Sequence, residues 1–253
     1  MIIDRPTSAQ IVQLRALWKE AFGDGEEFLD IFYSTAFCTE RCRCISLEGR
    51  VVAALYWFDC SRGDEKIAYI YAVATSMAYR GRGLCKALME DTHRHLREQD
   101  YALAMLVPGE ESLIGFYAAM GYRVCTTVGE IECSAREGRI ALRRISVNEY
   151  ARRRRELLPA GGVLQEKENM RFLDGQAELY RTEDSLLACR IDNGRLWGLE
   201  LLGRAEEAER ILHALGFSEG RFRIPDGERP FAMYYPLTDR NITPPTYFGL
   251  AFD

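Results

Sequence analysis

The segment Tyr69-Ile-Tyr-Ala-Val-Ala-Thr-Ser-Met-Ala-Tyr-Arg-Gly-Arg-Gly-Leu-Cys-Lys-Ala-Leu-Met89 reads as a strand, a short loop rich in arginine and glycine, and the start of an amphipathic helix. That order suits an anion. The first N–H groups of a helix lack partners within it and lie at the positive end of its dipole, so they attract phosphate. Gly81 and Gly83 let the backbone approach closely and take conformations closed to larger residues, while Arg80 and Arg82 supply charge that would neutralise a pyrophosphate. The loop lacks the G-x-x-x-x-G-K-[ST] pattern of nucleotide hydrolases and the G-x-G-x-x-G fingerprint of dinucleotide folds, which disfavours nucleoside triphosphates and NAD. A plain turn before a helix is the bland meaning of an R-G-x-G tetrapeptide, so a second motif is needed to choose.

That second motif is Ser112-Leu-Ile-Gly-Phe-Tyr-Ala-Ala-Met-Gly-Tyr122, a helix carrying Phe116 and Tyr117 and closing at Gly121. The two segments together, separated by a strand, resemble the acetyl-CoA-binding region of the GNAT superfamily of N-acetyltransferases. Its Q/R-x-x-G-x-G/A pattern is met by Arg80-Gly81-Arg82-Gly83-Leu84-Cys85, with cysteine in place of the last small residue, and its F-Y-x-x-x-G-F pattern by Phe116 to Tyr122. The resemblance implies an α+β (mixed α/β) GNAT acyl-CoA N-acyltransferase fold and acetyl-CoA as co-substrate, while the spacing of cysteines and histidines points to no metal. It further implies that the backbone of Val73 bonds the acetyl group and that Thr75 pairs with pantetheine amides. Arg80, Gly81, Arg82, Gly83, Leu84, Cys85 and Lys86 would cradle the pyrophosphate. Tyr117 would protonate the departing thiolate, a task open to a phenol of pKa near 10. The implied activity is transfer of acetyl to a primary amine by direct attack. The competing readings are a non-catalytic acyl-CoA sensor or scaffold, and a transferase of longer acyl groups.

A looser similarity joins Leu17 to Asp24 and Phe28-Leu29-Asp30 to the N-terminal domain of the enhanced-intracellular-survival branch of that superfamily. Those relatives carry extra domains, the last resembling a sterol carrier protein, and place the terminal carboxylate in the active site. On that analogy Thr246 to Asp253 would reach toward Tyr117.

The elements that must position these residues can be read from periodicity. Thr7 and Gln10 form a capping box before a helix over residues 8–22 ending at Gly23, and Phe28, Ile31, Phe32 and Ala36 mark a second helix. Extended runs come next at Arg41 to Leu47, Arg50 to Cys60 and Lys66 to Thr75, an antiparallel meander, before the helix at Gly81, a strand over Ala102 to Val107, and extended chain over Tyr122 to Cys133. Strand-helix-strand after the meander implies a partly parallel sheet. The polar stretch Ser134 to Gly138 sets the expected domains at residues 1–137, GNAT and catalytic, and 138–253, a smaller α+β domain either GNAT-like and degenerate or sterol-carrier-like. In the latter, Ser146 and Glu149 cap a helix whose Arg152 to Arg155 run reads as solvated, Asp174-Gly175 and Glu183-Asp184 mark turns between short strands, and Asn193-Gly194 joins two strands in a tight hairpin. A helix over Ala208 to Leu215 and a closing strand over Phe231 to Pro236 complete the reading.

The chain has 253 residues, 47% apolar and 28% charged, with formal net charge -5, which argues against general nucleic-acid binding. No apolar stretch approaches the ~18 residues needed to span a bilayer, no signal peptide is visible, and eight cysteines in a long chain read as thiols, so a cytoplasmic protein acting on a small-molecule or peptide amine, without nucleic-acid or membrane partners, is expected. Cys38, Cys42 and Cys44 lack a zinc spacing, and His93 and His95, two apart on a helix, read as solvated. Glu110, Glu111 and Asp59 are the candidate bases for the acceptor amine, and Tyr56, Trp57 and Phe58 the candidate lining of an acceptor pocket, with alternation placing Trp57 on the opposite face.

Overall fold

The computed structural model describes residues 1–252, and contacts divide them into two units: Met1–Arg123 with Tyr234–Thr243, and Val124–Met233 with the chain end from Pro244. The first unit contains β1 (Ile2–Asp4), α1 (Ile11–Phe22), α2 (Glu26–Thr35), β2 (Cys42–Leu47), β3 (Arg50–Arg62), β4 (Glu65–Thr75), α3 (Leu84–Glu98), β5 (Leu103–Leu106), α4 (Leu113–Ala118) and β6 (Arg123–Val124). β1 to β4 pair antiparallel in chain order, and β5 lies parallel to β4.

The capping box forms as expected: the Thr7 N–H donates to Gln10 Oε1 at 2.9 Å, and a short 3-10 turn leads into α1, which stops at Gly23 with φ 77°. The buried stripe of α1, Leu14, Leu17 and Trp18, packs with Phe32 of α2 against the sheet; Trp18 and Phe32 lie 5.1 and 5.2 Å from the Tyr56 ring. β3 is buried continuously from Val51 to Phe58, the pattern of a central strand covered on both faces. Tyr56 and Phe58 meet the α1 and α2 aromatics, while Trp57 donates on the other face to the Tyr101 hydroxyl at 3.3 Å.

The second unit contains β7 (Thr127–Ser134), β8 (Arg143–Arg144), α5 (Val147–Leu157), β9 (Leu164–Gln165), α6 (Glu168–Asp174), β10 (Glu178–Arg181), β11 (Leu186–Asp192), β12 (Arg195–Leu202), α7 (Ala208–Leu215) and β13 (Glu219–Pro230). Its sheet runs β8-β10-β11-β12-β13-β7, antiparallel through β12 and parallel between β12 and β13. This repeats the first sheet's sequence of directions, β1-β2-β3-β4-β5, with two helices after the first strand and one between the parallel pair. The parallel strand of each sheet then takes a neighbour from the other half of the sequence: β7 beside β13, and β14 (Met233–Pro236) between β5 and β6.

That exchange is why the observed division differs from an expected boundary at 137/138. The polar stretch after Ser134 lies beyond β7, which is already committed to the second sheet through its pairing with β13, so the chain divides at Arg123/Val124 and returns at Tyr234. The Asn193-Gly194 hairpin is present, both residues at positive φ, but Asp174-Gly175 closes α6 rather than joining strands. β1 and most of β13 were not legible: β1 is three residues long, and β13 carries two prolines, two glycines and many charges.

One arginine of the expected solvated run is a core residue. Arg154 is 1% exposed, and its Nε and Nη2 donate to the Glu200 carboxylate at 2.7 and 2.9 Å. The Tyr150 and Tyr247 hydroxyls donate to the same carboxylate at 2.8 and 2.9 Å, occupying its remaining lone pairs. The chain end is built into this network: Gln165 Nε2 donates to Leu250 O at 2.7 Å, the Val163 N–H to Tyr247 O at 2.9 Å, and Arg223 Nη1 to both Leu199 O and Gly249 O at 3.4 and 3.3 Å. Residues to Phe252 thus pack within the second unit; Asp253, whose carboxylate the resemblance sent toward Tyr117, lies outside the described residues. Truncating one member of a buried ion pair strands the other charge. Glu200→Ala is therefore expected to lower the unfolding free energy by about 3–5 kcal/mol in urea titrations, while Arg153→Ala on the exposed side of α5 changes it by less than about 0.5 kcal/mol.

Candidate functional site

β4 does not pair evenly with β3. Tyr71 faces Tyr56 and Ala74 faces Ala54, so Ala72 and Val73 together oppose the single residue Leu55. Ala72 takes φ 49°, an uncommon conformation for a residue with a Cβ. Such a bulge bends its strand and re-aims the residues beyond it. The parallel ladder to β5 ends at Tyr69 opposite Met105, and Val73 and Thr75 continue past that point, each half-exposed. No proline ends the strand. Instead the Ser76 N–H donates to Val52 O at 2.9 Å, a 3-10 turn forms over Met77–Tyr79, and Glu20 of α1 accepts the Met77 N–H at 2.6 Å.

The loop then reaches α3. Gly81 and Gly83 take φ 75° and 72°, and a Cβ built on either would meet nothing within 4 Å. Glycine is required here by the backbone conformation, and the space above it is open. Arg80 Nε donates to Thr75 O at 3.1 Å and Arg82 Nη2 to Ala78 O at 3.2 Å, so both guanidinium groups brace the loop while staying exposed. Leu84 points into the core, and Lys86 is exposed with Glu90 at 3.9 Å. Cys85 is half-buried, and burial pushes its thiol up to about 11, which keeps it protonated and inert as a nucleophile near neutral pH.

Tyr117 of α4 is 8% exposed, and no hydrogen bond to its hydroxyl is found among the described residues. Burial, and then the neighbouring Cys85 thiol, raise its pKa well above that of a free phenol. The structure therefore leads the strand of the Val73 bulge into the glycine loop and the start of α3, and sets a protonated Tyr117 next to Cys85 of that helix. It leaves the expected bases less well placed. Asp59 is engaged by Arg41 at 3.5 Å and by the Tyr101 hydroxyl, Glu110 accepts from Ser112 at 3.1 Å on the surface, and Glu111 is exposed. Tyr56, Trp57 and Phe58 are all buried core residues.

His93 corrects the sequence reading: it is 4% exposed, and its Nε2 lies 2.8 Å from the Tyr122 hydroxyl. The signal was present in Met89, Thr92, His93 and Leu96, one stripe of α3 at helical spacing, all buried. Ala72 and Tyr235, which stacks on His93 at 4.2 Å, carried no sequence signal for a site, and Tyr122 entered only as the last residue of the second motif.

Residues 3–125 match the family model described as an acetyltransferase (GNAT) domain. The first unit carries a GNAT acetyltransferase domain. No curated protein matches the sequence. Among solved structures, a GCN5-related N-acetyltransferase from Anabaena variabilis is 15% identical with a TM-score of 0.73, covering 94% of this chain and 73% of that one. One from Kribbella flavida is 18% identical with a TM-score of 0.69, covering 92% and 70%. Eis1 from Mycobacterium abscessus is 12% identical with a TM-score of 0.67, covering 94% and 74%. At these identities the likeness is one of fold, and it extends beyond the GNAT domain into the second unit. Membership of the domain family makes this an acyltransferase domain of the kind that uses acyl-CoA. Among the described residues no group of three or more histidine, cysteine or acidic side chains is placed to hold a metal, and no helix is long and apolar enough to cross a membrane.

Burial, with Arg97 nearby, lowers the His93 pKa to about 4, so the ring is neutral in the folded GNAT domain. The unfolded chain, with an ordinary histidine pKa near 6.5, takes up this proton first as pH falls. The contribution of His93 to stability is thus fully present above about pH 6.5 and lost as pH drops toward 4, a loss on the order of 3 kcal/mol. His93→Gln is expected to flatten that part of the stability-pH curve measured by urea unfolding.

Proposed function

We propose that the protein is an N-acetyltransferase that moves an acetyl group from acetyl-CoA to a primary amine by direct attack. What supports this most is the bulge at Ala72–Val73, which sends β4 past the end of its ladder with β5 and toward the glycine-bearing start of α3. In this reading the pyrophosphate sits on the N–H groups of Gly81 to Lys86, with Arg80 and Arg82 free to lend charge once they release the loop carbonyls. The pantetheine amides pair with Thr75 as an added strand would. The acetyl carbonyl accepts a hydrogen bond from the Val73 N–H.

A neutral amine attacks that carbonyl, forming the C–N bond and a tetrahedral oxyanion that the Val73 N–H stabilises. The C–S bond then breaks, and the thiolate takes the proton of Tyr117, which its raised pKa keeps available at neutral pH. The proton shed by the new amide nitrogen returns to solvent, and solvent restores the phenol.

The second unit, on this account, is a degenerate copy without a donor site. Where the first unit has Arg80-Gly81-Arg82-Gly83 before α3, the second has Arg204 to Glu207 before α7, and Glu207 is buried, accepting from Thr182 at 2.6 Å and Ser185 at 2.8 Å. Carboxylates at that helix start would repel a pyrophosphate. The acceptor is a small-molecule or peptide amine, and eight free cysteines fit a reducing cytoplasm.

Thiol release from acetyl-CoA with a panel of amines tests the reading. Tyr117→Phe is expected to lower kcat by about 10²-fold with KM for acetyl-CoA changed less than about twofold. CoA binding without turnover on any amine would instead favour a sensor, and absence of CoA binding would overturn the assignment.

A further inference from the structure

Behind Tyr117 stands a column of side chains that the reaction does not itself require. The Tyr122 N–H donates to Tyr117 O at 3.2 Å, and the two rings meet edge to face with centroids 6.0 Å apart at 66°. Tyr122 is fully buried, and its hydroxyl is within 2.8 Å of His93 Nε2 on α3. His93 in turn stacks on Tyr235 of β14, with centroids 4.2 Å apart and planes 16° from parallel. Tyr235 is fixed at its far end, where Arg97 Nη2 donates to its hydroxyl at 3.2 Å, and it packs over Gly121, where any Cβ would lie 3.0 Å from its ring. β14 is itself held in the first unit's sheet, with the Leu237 N–H donating to Ala102 O at 2.8 Å.

We propose that Tyr122, His93 and Tyr235 form a positioning column for Tyr117, so that the proton donor of the first unit depends on a strand drawn from the far end of the sequence. The inference rests on the reading of Tyr117 as the group that protonates the leaving thiolate. The Tyr117 hydroxyl has no hydrogen bond among the described residues, so its direction is set by ring packing and by the end of α4. The fixed face against its ring is Tyr122. That face cannot turn without breaking the His93 bond, and His93 cannot shift without leaving the Tyr235 ring. A neutral imidazole serves here, since a buried charge would have to be solvated by the same aromatic stack. Proton transfer to a departing group demands donor placement within a few tenths of an ångström, so loosening the column costs rate rather than donor binding.

A double-mutant cycle tests this on the full chain. Tyr122→Phe keeps the ring and removes only the His93 partner, and is expected to lower kcat three- to tenfold, about the worth of one hydrogen bond, with KM for acetyl-CoA unchanged. In a Tyr117→Phe background the same substitution is expected to cost nothing further, because there is no hydroxyl left to aim. Tyr235→Leu, which removes the stacked ring from the other end, is expected to show the same pattern. Equal losses in both backgrounds would make the residues merely structural and overturn the proposal, as would unchanged kcat in Tyr122→Phe when Tyr117→Phe alone is impaired. An unimpaired Tyr117→Phe would remove the general acid and with it the object of the column.

Discussion

The arrangement of the first unit depends on one irregularity in a ladder of hydrogen bonds. Two residues of β4, Ala72 and Val73, oppose a single residue of β3, and Ala72 accepts a positive φ to let them do so. A straight β4 would have continued its parallel pairing with β5, committing its backbone groups to a neighbour. Bent at the bulge, it parts from β5 after Tyr69 and runs on to a loop whose two glycines take positive φ before α3 begins. The geometric cost is local and falls on Ala72, whose Cβ makes its positive φ unfavourable. Every proposed donor contact lies on the stretch that the bulge redirects: Val73 within it, Thr75 after it, and the first turn of α3 at its end.

The second unit repeats this strand layout with different residues at the corresponding bulge. β12 has its own extra residue, since Ala188 faces Glu200 while Cys189 faces Gly198, and β13 again lies parallel beside it. Here the residues after the bulge are committed to the protein's interior. Glu200 holds Arg154, Tyr150 and Tyr247, and Arg223 of β13 ties Leu199 to Gly249. Residues Tyr247 to Phe252 pack within the second unit, and the helix start corresponding to that of α3 is acidic. Buried charges of this kind rarely add net stability over apolar packing, but they fix which groups can sit beside them. In the first unit the comparable interior is aromatic, with Trp18, Phe32, Tyr56, Phe58 and Tyr71 in mutual contact.

Much of this was legible in the sequence, for identifiable reasons. Helix limits with caps, such as Thr7 with Gln10 and Ser146 with Glu149, and turns that demand positive φ, such as Asn193-Gly194 and Gly83, are set by neighbours in the chain, so local reading finds them. The glycine loop and the helix of Tyr117 were found the same way, and two motifs in the right order were enough to place the first unit among GNAT domains. What escaped is non-local. Arg154 looks like its three arginine neighbours until Glu200 is folded against it. The partners of His93 lie on β14 and at Tyr122, and the exchange of β7 and β14 between sheets moved the boundary away from the polar stretch that marked it. The positive φ of Ala72 is imposed by pairing with β3, and nothing in the residues around it announces a bulge.

The central claim is that the bulge and the glycine loop of the first unit, and not their counterparts in the second, form the donor site. Backbone amide shifts of the 15N-labelled chain, tracked by NMR as CoA and then acetyl-CoA are added, address it residue by residue. Shifts are expected to concentrate at Val73, Thr75 and Gly81 to Lys86 and to saturate at one equivalent, with the amides of Gly203 to Ala208 unmoved and Val73 responding most to the acetyl group. Perturbation at Gly203 to Ala208, or a Val73 amide indifferent to either ligand, would contradict it.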